Sequence, residues 1–332
     1  MTIDQALSQA SKKLKRTKSA SPHLDSEVLL SFVLKKPKEY LYSNPKKQLL
    51  RTKLRSFIRL INLRAKGWPA AYLTNNKEFY GFNFYVNKNV LVPRPETEGL
   101  VGLVLNQVSK PQPPLSILDI GTGSGNIIIA LVKLLDTQVF ASEGTSDVPK
   151  RSNLLTDREI ASSHRSSQRQ QYGFFASDIS YKALAVAKKN AKKHKAKITF
   201  KKGSLLKPWK NQKFDIIIAN LPYLAKEYDQ STKFEPKTAL IAKKKGLALY
   251  EELFKQLVFI SPPFKKFSTS SAAESRESKR GSRWPEYIFL EIGHDQGSAI
   301  KKLAKKYLPD YKADISKDLS DRNRFAVLKK TR

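Results

Sequence analysis

The feature that most constrains the fold is an apolar run, ILDIGTGSGNIIIAL at residues 117–131, that contains one acid and three alternating glycines. Its first residues suit a short buried strand that includes Asp119. Gly121, Gly123 and Gly125 follow, and the apolar residues after them suit a helix. Glycine lets the backbone turn sharply and lie against a ligand where a Cβ would block the approach. The run predicts an α/β fold with a ligand site at the turn, and the alternative is a turn that binds nothing.

The spacing of the glycines argues against two common nucleotide sites. The pattern D-x-G-x-G-x-G differs from the dinucleotide fingerprint G-x-G-x-x-G, and no G-K-[ST] follows to hold a triphosphate. An acid two residues before the first glycine instead resembles the S-adenosylmethionine loop of class I methyltransferases.

A second run, FDIIIANLPYL at residues 214–224, supplies another part of the expected site. Its isoleucines predict a buried parallel strand, and open α/β sheets bind ligands at the carboxyl ends of such strands. Asn220, Leu221, Pro222 and Tyr223 stand at that end. They resemble the (N/D/S)-P-P-(Y/F/W) motif of enzymes that methylate amide or exocyclic amino nitrogens.

The residue types suit that chemistry. An amide nitrogen is a poor nucleophile because its lone pair is delocalised, so the site must hold both N–H groups and aim the lone pair at the methyl donor. We expect the Asn220 side-chain oxygen and the Leu221 backbone carbonyl to accept those N–H groups. Pro222 stiffens the turn, and the Tyr223 ring offers a face to a planar group.

Composition narrows the class of protein. The 332 residues include no cysteine, which excludes disulfides, thiolate metal sites and thiol nucleophiles. The 4 histidines lack ligand spacing, so we predict no metal site. No apolar run approaches the roughly 20 residues of a membrane span, and the amino terminus lacks the apolar core of a signal peptide. We therefore expect a cytoplasmic enzyme.

The charge points to a class of partner without identifying one. The formal net charge is +33, with 62 Lys and Arg against 29 Asp and Glu. An excess of this size indicates a polyanionic neighbour such as RNA or a ribonucleoprotein. The alternative is a lysine-rich proteome, because the lysines are spread along helices such as KKNAKKHKAK.

The residues before the glycine loop predict a separate helical unit. Apolar residues recur at helical spacing in residues 3–16 and 49–63, and Pro22 suits the start of a helix between them. Alternating aromatic residues around Gly81 predict a hairpin. The expected division is a helical substrate-binding domain at 1–74, a β-hairpin linker at 75–92 and a methyltransferase domain at 93–332.

Several motifs together resemble one family. In chain order they are EFYG at 78–81, VPRPETE at 92–98, DIGTGSG, NLPY, FEPKTAL at 234–240, LEIGHDQG at 290–297 and DLSDRNRFAVLKK at 318–330. These motifs are similar to those of the peptide chain release factor glutamine methyltransferase family. The resemblance implies a Rossmann-like, mostly parallel seven-stranded sheet in which residues 325–329 form the antiparallel final strand.

The resemblance also implies an activity and its residues. The expected reaction is methylation of the glutamine amide in the Gly-Gly-Gln loop of class I release factors, with S-adenosylmethionine as donor. Separately, we expect the protein to be a monomer. Ser204 stands where the fold often has an acid near the adenine amino group, and Leu205 can pack on the ring. The residues implied for the cofactor are Asp119, Gly121, Thr122, Gly123, Ser124, Gly125, Asp178, Ser204, Leu205 and Asn220. Those implied for the glutamine amide are Asn220, Leu221, Pro222 and Tyr223, with VPRPETE as a wall beside them.

One departure from the family pattern keeps other functions open. Leu221 replaces the usual first proline, which preserves the backbone acceptor but removes a rigid φ. The form NLPY also resembles rRNA adenine dimethyltransferases, so RNA adenine N6-methylation is one alternative. VPRPETE, FEPKTAL and the amino-terminal helices argue against it. A non-catalytic binding module on the ribosome is the other alternative.

Two low-complexity segments, at 144–173 and 266–284, are expected to be loosely packed surface insertions. Because of the first segment, two residues are candidates for the acid that binds the ribose hydroxyls. Glu143 in QVFASEG stands at the usual distance from the glycines, whereas Asp178 in GFFASDIS is followed by a sequence that continues the family pattern. We favour Asp178.

Overall fold

The computed structural model describes residues 1–17, 19–108, 115–141, 172–225, 230–260 and 285–331. Its α-helices are α1 Ile3–Lys15, α2 Pro22–Leu34, α3 Lys38–Ser43, α4 Arg51–Ala65, α5 Ala70–Thr74, α6 Glu98–Val108, α7 Asn126–Ala141, α8 Tyr181–Lys193, α9 Ala248–Ile260 and α10 Gly297–Tyr307. Its strands are β1 Lys77–Phe79, β2 Phe82–Phe84, β3 Leu115–Ile120, β4 Tyr172–Asp178, β5 Thr199–Lys202, β6 Ile216–Asn220, β7 Tyr287–Glu291, β8 Tyr311–Lys317 and β9 Asn323–Lys330. Within these ranges no helix has both the length and the apolar character that crossing a membrane requires.

The first five helices precede the hairpin and pack against one another, and the division of the chain at residue 74 stays a prediction. A capping box starts α1, since the Thr2 hydroxyl and the Gln5 side chain each accept from the other's backbone N–H. Pro22 occupies the first turn of α2, where its fixed φ suits a helix. The helices predicted at 3–16 and 49–63 are confirmed as α1 and α4. Their core includes Ile3, Leu14, Leu29, Leu30, Phe57 and Ile61.

The predicted hairpin is formed by β1 and β2, which pair antiparallel. Tyr80 and Gly81 make its turn with φ of 53° and 79°, both positive as a tight two-residue turn requires. The Tyr80 N–H donates to Glu98 Oε1 at 3.0 Å. On the other side, Asn190 of α8 accepts from the Tyr85 N–H at 2.8 Å and donates to the Tyr85 carbonyl at 2.9 Å. The hairpin is thereby fixed to α6 and α8.

The large sheet has seven strands in the order β5-β4-β3-β6-β7-β9-β8. The strands from β5 to β7 are parallel, whereas β9 runs antiparallel to both β7 and β8. The expected mostly parallel α/β sheet is confirmed, and residues 325–329 lie in the antiparallel strand β9. Because the chain leaves β3 first toward β4 and later returns to its other side as β6, a crevice opens at the carboxyl ends of β3 and β6.

Both faces of the sheet are covered, which explains the uninterrupted apolar runs in its central strands. Ile117, Ile216 and Ile218 face a core shared with α6, α7 and α8. Leu118 and Ile217 face a second core shared with α9 and α10. Adjacent residues alternate between the two cores, as the pleat of a strand dictates.

The two expected insertions lie mainly outside the described residues. For the segment 144–173, the described part is Tyr172 and Gly173, which belong to β4 because they pair with Leu115 and Ser116 of β3. The segment 266–284 lies wholly outside. Of the two candidates for the second strand, FFASD lies in β4, whereas Val139 lies in α7. Glu143 lies outside the described residues.

Candidate active site

The glycine loop and the NLPY segment lie side by side at the carboxyl edge of the sheet. β3 and β6 pair in parallel, with Ile120 opposite Ala219, so each strand delivers its next residues to the same place. A Cβ on Gly121 would lie 3.5 Å from Leu221 Cδ2 and 3.9 Å from the Asn220 carbonyl oxygen. The two segments that the sequence analysis singled out are therefore in contact.

The glycine loop requires glycine for two different reasons. Gly121, Gly123 and Gly125 have φ of 72°, 56° and 80°, a region that other residues enter at a cost. A Cβ on Gly121 or Gly123 would meet no atom closer than 3.5 Å, which is an ordinary van der Waals contact, so their positive φ and not a lack of space favours glycine there. A Cβ on Gly125 would lie 2.9 Å from Ile129 Cδ1 and 3.3 Å from Ala187 Cβ. Gly125 thus permits close packing of α7 and α8, while Gly121 and Gly123, with their positive φ, form a cradle of backbone at the end of β3.

The end of β4 fixes the loop from one side. The N–H groups of Gly121 and Thr122 donate to the Ser177 carbonyl at 2.8 and 3.0 Å. The Gly123 N–H donates to Asp178 Oδ2 at 3.0 Å, and the Ser180 N–H donates to Asp178 Oδ1 at 2.8 Å. Burial raises the pKa of Asp178, although these N–H groups oppose the rise.

A second acid lies beneath the loop. Asp119 is buried, and its Oδ2 accepts from the Thr122 hydroxyl at 2.7 Å. Burial raises the pKa of Asp119 to about 7, the Thr122 hydrogen bond and the Ile128 N–H oppose the rise, and the charge of Asp178 adds to it. Asp119 Oδ1 has no hydrogen-bond partner among the described residues.

A cavity of about 510 Å³ opens over these segments. That volume is within the range of small-molecule sites, about 300 to 1,000 Å³. The expected site residues that line it are Gly121, Thr122, Gly123, Ser124, Asp178, Ser204, Leu205, Asn220, Leu221 and Pro222. Asp119, Gly125 and Tyr223 do not line it. Most of the expected residues therefore lie around one cavity. The three that do not line it belong to the glycine loop, the strand before it or the NLPY turn.

The side chain of Asn220 is oriented by two other elements. Its Nδ2 donates to Glu291 Oε2 at 2.9 Å and to Thr97 Oγ1 at 3.2 Å. Glu291 ends β7, and Thr97 precedes α6. Since a carboxylate only accepts, its position assigns the nitrogen of the Asn220 amide to that side. Within the described residues the Asn220 side-chain oxygen is left to accept a further hydrogen bond.

Glu291 is the buried centre of this network. It is 1% exposed, and its Oε1 accepts from the Tyr223 hydroxyl at 3.3 Å. Burial raises the pKa of Glu291, and hydrogen bonds from Thr97 and Tyr223 together with the charge of Arg324 oppose that rise. Because Glu291 accepts from Asn220 Nδ2, it fixes the orientation of the Asn220 side chain.

The rest of the NLPY turn is anchored from behind. Leu221 is buried, and the Tyr250 hydroxyl lies 3.5 Å from its carbonyl oxygen and 2.6 Å from that of Glu291. Gln296 Nε2 donates to the Tyr223 carbonyl at 2.9 Å. Because the Tyr223 hydroxyl points to Glu291, the expected stacking role of its ring stays a prediction.

VPRPETE forms one wall of the cavity through Pro93, Arg94 and Thr97. Arg94 Nη2 donates to Glu235 Oε1 at 2.6 Å, and the Val92 N–H donates to Glu235 Oε2 at 3.0 Å. Two of the motifs singled out in the sequence, VPRPETE and FEPKTAL, are therefore joined by one buried carboxylate.

Comparison with known proteins decides the family. The model of the PrmC N-terminal domain matches residues 5–74, and that of the methyltransferase small domain matches residues 160–246. A release factor glutamine methyltransferase of Enterococcus faecalis is 34% identical over 265 residues, which span 78% of this chain and 75% of that protein. The chain belongs to the release factor glutamine methyltransferase family. A second member, from Streptococcus pneumoniae, is 31% identical over 78% of this chain and 74% of its own length.

Other relatives of this methyltransferase differ from it in length or in sequence. A bifunctional methyltransferase of Rickettsia conorii is 32% identical over 91% of this chain but only 56% of that protein. A solved structure, the release-factor-specific protein-(glutamine-N5) methyltransferase from Alicyclobacillus acidocaldarius, is 16% identical, with a TM-score of 0.36 over 75% of this chain and 100% of that one.

Sequence reasoning about this methyltransferase missed one contributor to the site. The Thr97 hydroxyl accepts from Asn220 Nδ2 across 123 residues of chain. A pairing over such a separation leaves no periodic or local signal in a single sequence. The position of Thr97 inside VPRPETE was the available hint, since that motif was expected to border the site.

Proposed function

We propose that this chain transfers the methyl group of S-adenosylmethionine to the side-chain amide of the glutamine in the Gly-Gly-Gln loop of class I peptide chain release factors. The observation that carries the proposal is the oriented Asn220 amide beside the glycine loop. The family to which the chain belongs supports it.

The residues present fit the proposed cofactor. S-adenosylmethionine supplies an electrophilic methyl group on a positively charged sulfur. Asp119 and Asp178 are carboxyl groups near the cradle of Gly121 and Gly123, and neither forms an ion pair with a described residue. Burial without a cation raises the pKa of both acids, so a cationic ligand with hydroxyl donors would stabilise their charged forms. We propose Asp178, at the cavity wall, for the ribose hydroxyls.

The residues also fit the proposed acceptor. A primary amide presents two N–H groups in one plane, and the Asn220 side-chain oxygen with the Leu221 carbonyl offers two acceptors at one turn. Holding both groups fixes the nitrogen, so that positioning rather than a strong base is the main catalytic device. The nitrogen loses one proton during or after transfer. Leucine at position 221 keeps the backbone carbonyl, and its side chain is buried.

The helical domain is proposed to hold the release factor. A groove of about 1160 Å³ runs between α2, α4 and VPRPETE, and Pro93 and Arg94 line both this groove and the cavity. A protein loop that enters the cavity therefore has an adjoining surface to lie on.

Locating a labelled methyl group tests the proposal. The full chain would be incubated with methyl-labelled S-adenosylmethionine and one of three acceptors: a class I release factor, the same factor with alanine for the Gly-Gly-Gln glutamine, or ribosomal RNA. We expect label on the first acceptor alone. Label on the RNA would indicate adenine methylation. No label, with no calorimetric binding of the cofactor, would indicate a binding module, and either result overturns the proposal.

Replacing Asn220, the side chain proposed to hold the glutamine amide, tests the same proposal from the enzyme's side. Asn220→Ala removes one of the two acceptors for the amide, and losing one such hydrogen bond costs on the order of 100-fold in rate. The exposed Asn211→Ala is the control and should methylate at the wild-type rate. If Asn220→Ala is as active as the wild type in initial-rate assays, Asn220 does not hold the glutamine amide as proposed.

A further inference from the structure

The residues between Asp178 and Asp215 include twelve lysines and none of the chain's 29 acids. All of these lysines are exposed. We call this surface, formed by the lysines of residues 182–213, the basic edge. The imbalance is local, so an overall lysine-rich composition does not explain it.

The fold gathers these lysines along one side of the molecule. β5 is the outermost strand of the sheet, and α8 packs against β4 and β5. Lys188 and Lys192 are one helical turn apart on α8, as are Lys189 and Lys193. None of the twelve forms an ion pair with a described residue. No described carboxylate pairs with them, although Lys193 and Lys201 donate to backbone carbonyls and Lys189 lies over the Tyr85 ring.

The opposite side of the sheet provides a contrast within the same chain. α10 packs against α9 and β8, the other edge strand, and also exposes four lysines. There, however, acids lie close by. Glu251 pairs with Lys255 and accepts from the Tyr307 hydroxyl, and Asp314 pairs with Lys312. The α10 surface thus includes acids, although they pair with Lys255 and Lys312 and not with the α10 lysines, whereas residues 179–214 of the basic edge include no acid.

We propose that the basic edge binds RNA through its phosphate backbone. Interfaces with proteins usually have an apolar centre. On this surface the exposed large apolar side chains are Ile179 and Tyr181, both at one end beside the cavity. Spaced lysines without an apolar centre suit a chain of phosphates, and the exposed Tyr181 ring can stack on a base. This contact is separate from methyl transfer and does not depend on it.

Salt dependence is the signature of such binding. Each phosphate that a lysine neutralises on single-stranded RNA releases counterions and contributes about 0.7 to the slope of log K against log salt. Reversing the charge of four contacting lysines should therefore lower the slope by about 2 to 3.

The test compares two variants of the full chain with equal net charge. The first has Lys188→Glu, Lys192→Glu, Lys197→Glu and Lys202→Glu on the basic edge. The control has Lys301→Glu, Lys302→Glu, Lys305→Glu and Lys306→Glu on α10. Binding of a fluorescent single-stranded RNA would be followed by anisotropy across a salt series. We expect at least about a tenfold loss and a lower slope for the first variant, and less than about a threefold loss for the control.

Three results would overturn the proposal. Equal losses in both variants would mean that net charge alone attracts the RNA. Wild-type affinity in the basic-edge variant would mean that the surface is not used. Equally tight binding of polyglutamate of the same charge would indicate an acidic protein partner instead. Both variants should still methylate a release factor, which separates this test from that of the proposed function. If the Glu substitutions lower the melting temperature, the corresponding Lys→Gln set replaces them.

Discussion

At the scale of single residues, the chemistry of the site depends on how one amide is turned. Asn220 could present either its oxygen or its nitrogen to the cavity, since the two ends of an amide have the same shape. Glu291 and Thr97 both accept from Nδ2, and that preference directs the oxygen outward. The orientation of Asn220 is therefore set by a carboxylate that does not line the cavity.

Glu291→Gln is predicted to lower kcat by about 10- to 100-fold, because a glutamine can donate as well as accept and no longer imposes one orientation on Asn220. The Kd for S-adenosylmethionine should change much less, since the cradle is untouched. Single-turnover rates and calorimetry would separate the two quantities.

Tyr223→Phe serves as the control for Glu291→Gln. It removes the longer hydrogen bond to Glu291, at 3.3 Å, and leaves the Asn220 contact in place. The loss in kcat should therefore be only a few-fold. Equal effects of the two substitutions would show that Glu291 acts through general packing and not through Asn220.

Asp119 predicts a pH dependence of stability. Its folded pKa of about 7 is above the usual 3.8, so the folded state binds the proton more tightly than the unfolded chain. Its contribution to stability is fully present below about pH 4 and is lost as the pH rises through about 7. Relative to wild type, Asp119→Asn should gain up to about 4 kcal/mol in free energy of unfolding between these limits. Urea unfolding at both pH values, without cofactor, measures the change, and a constant difference would contradict the prediction.

At the scale of elements, the NLPY turn is shaped by a neighbouring loop. Gly246 has φ of 86°, and a Cβ there would lie 1.9 Å from the Tyr223 carbonyl oxygen and 2.5 Å from Gln296 Nε2. Gln296 donates to that same carbonyl. The turn after β6 is thus held by a glycine and an amide that are remote from it in sequence.

Gly246→Ala is predicted to displace the turn, with a loss of at least about 2 kcal/mol in stability and more than about tenfold in kcat. Gly102→Ala is the matched control, since a Cβ on Gly102 would meet no atom within 4 Å in the middle of α6. That substitution should be neutral or stabilise by up to about 1 kcal/mol. Thermal unfolding measures the change in stability of both variants, and initial rates measure the change in kcat. Wild-type activity in Gly246→Ala would show that the turn tolerates the shift.

The elements that could be predicted from sequence are those with a local signal. β3 and β6 are short, mainly apolar segments, and α1 and α4 have helical periodicity, so each can be recognised from a few consecutive residues. The loop of glycines and the Asn220 turn were found for the same reason. The contacts of Asn220 with Glu291, 71 residues away, and with Thr97, 123 residues away, depend on strand order, which no single window contains.

At the scale of the whole molecule, the helical domain, the linker and the sheet are joined at the mouth of the site. Trp68 stacks on Phe234 with ring centroids 4.6 Å apart. Glu235, next to Phe234, accepts from both Arg94 and the Val92 N–H. Contacts from all three parts of the chain therefore meet at one short segment of the FEPKTAL motif.

Glu235→Ala tests whether this junction also serves the protein substrate. The change leaves the Val92 N–H and the Arg94 guanidinium without their acceptor. We expect a loss of about 2 to 4 kcal/mol, less than for a fully buried pair because the Arg94 side chain is 35% exposed. The exposed Glu286→Ala should change stability by less than about 0.5 kcal/mol. If the groove positions the release factor, KM for that factor should rise in Glu235→Ala while the Kd for S-adenosylmethionine stays near the wild-type value. An unchanged KM together with the expected loss of stability would restrict the junction to a structural role, because the groove would then be distorted without consequence for the substrate.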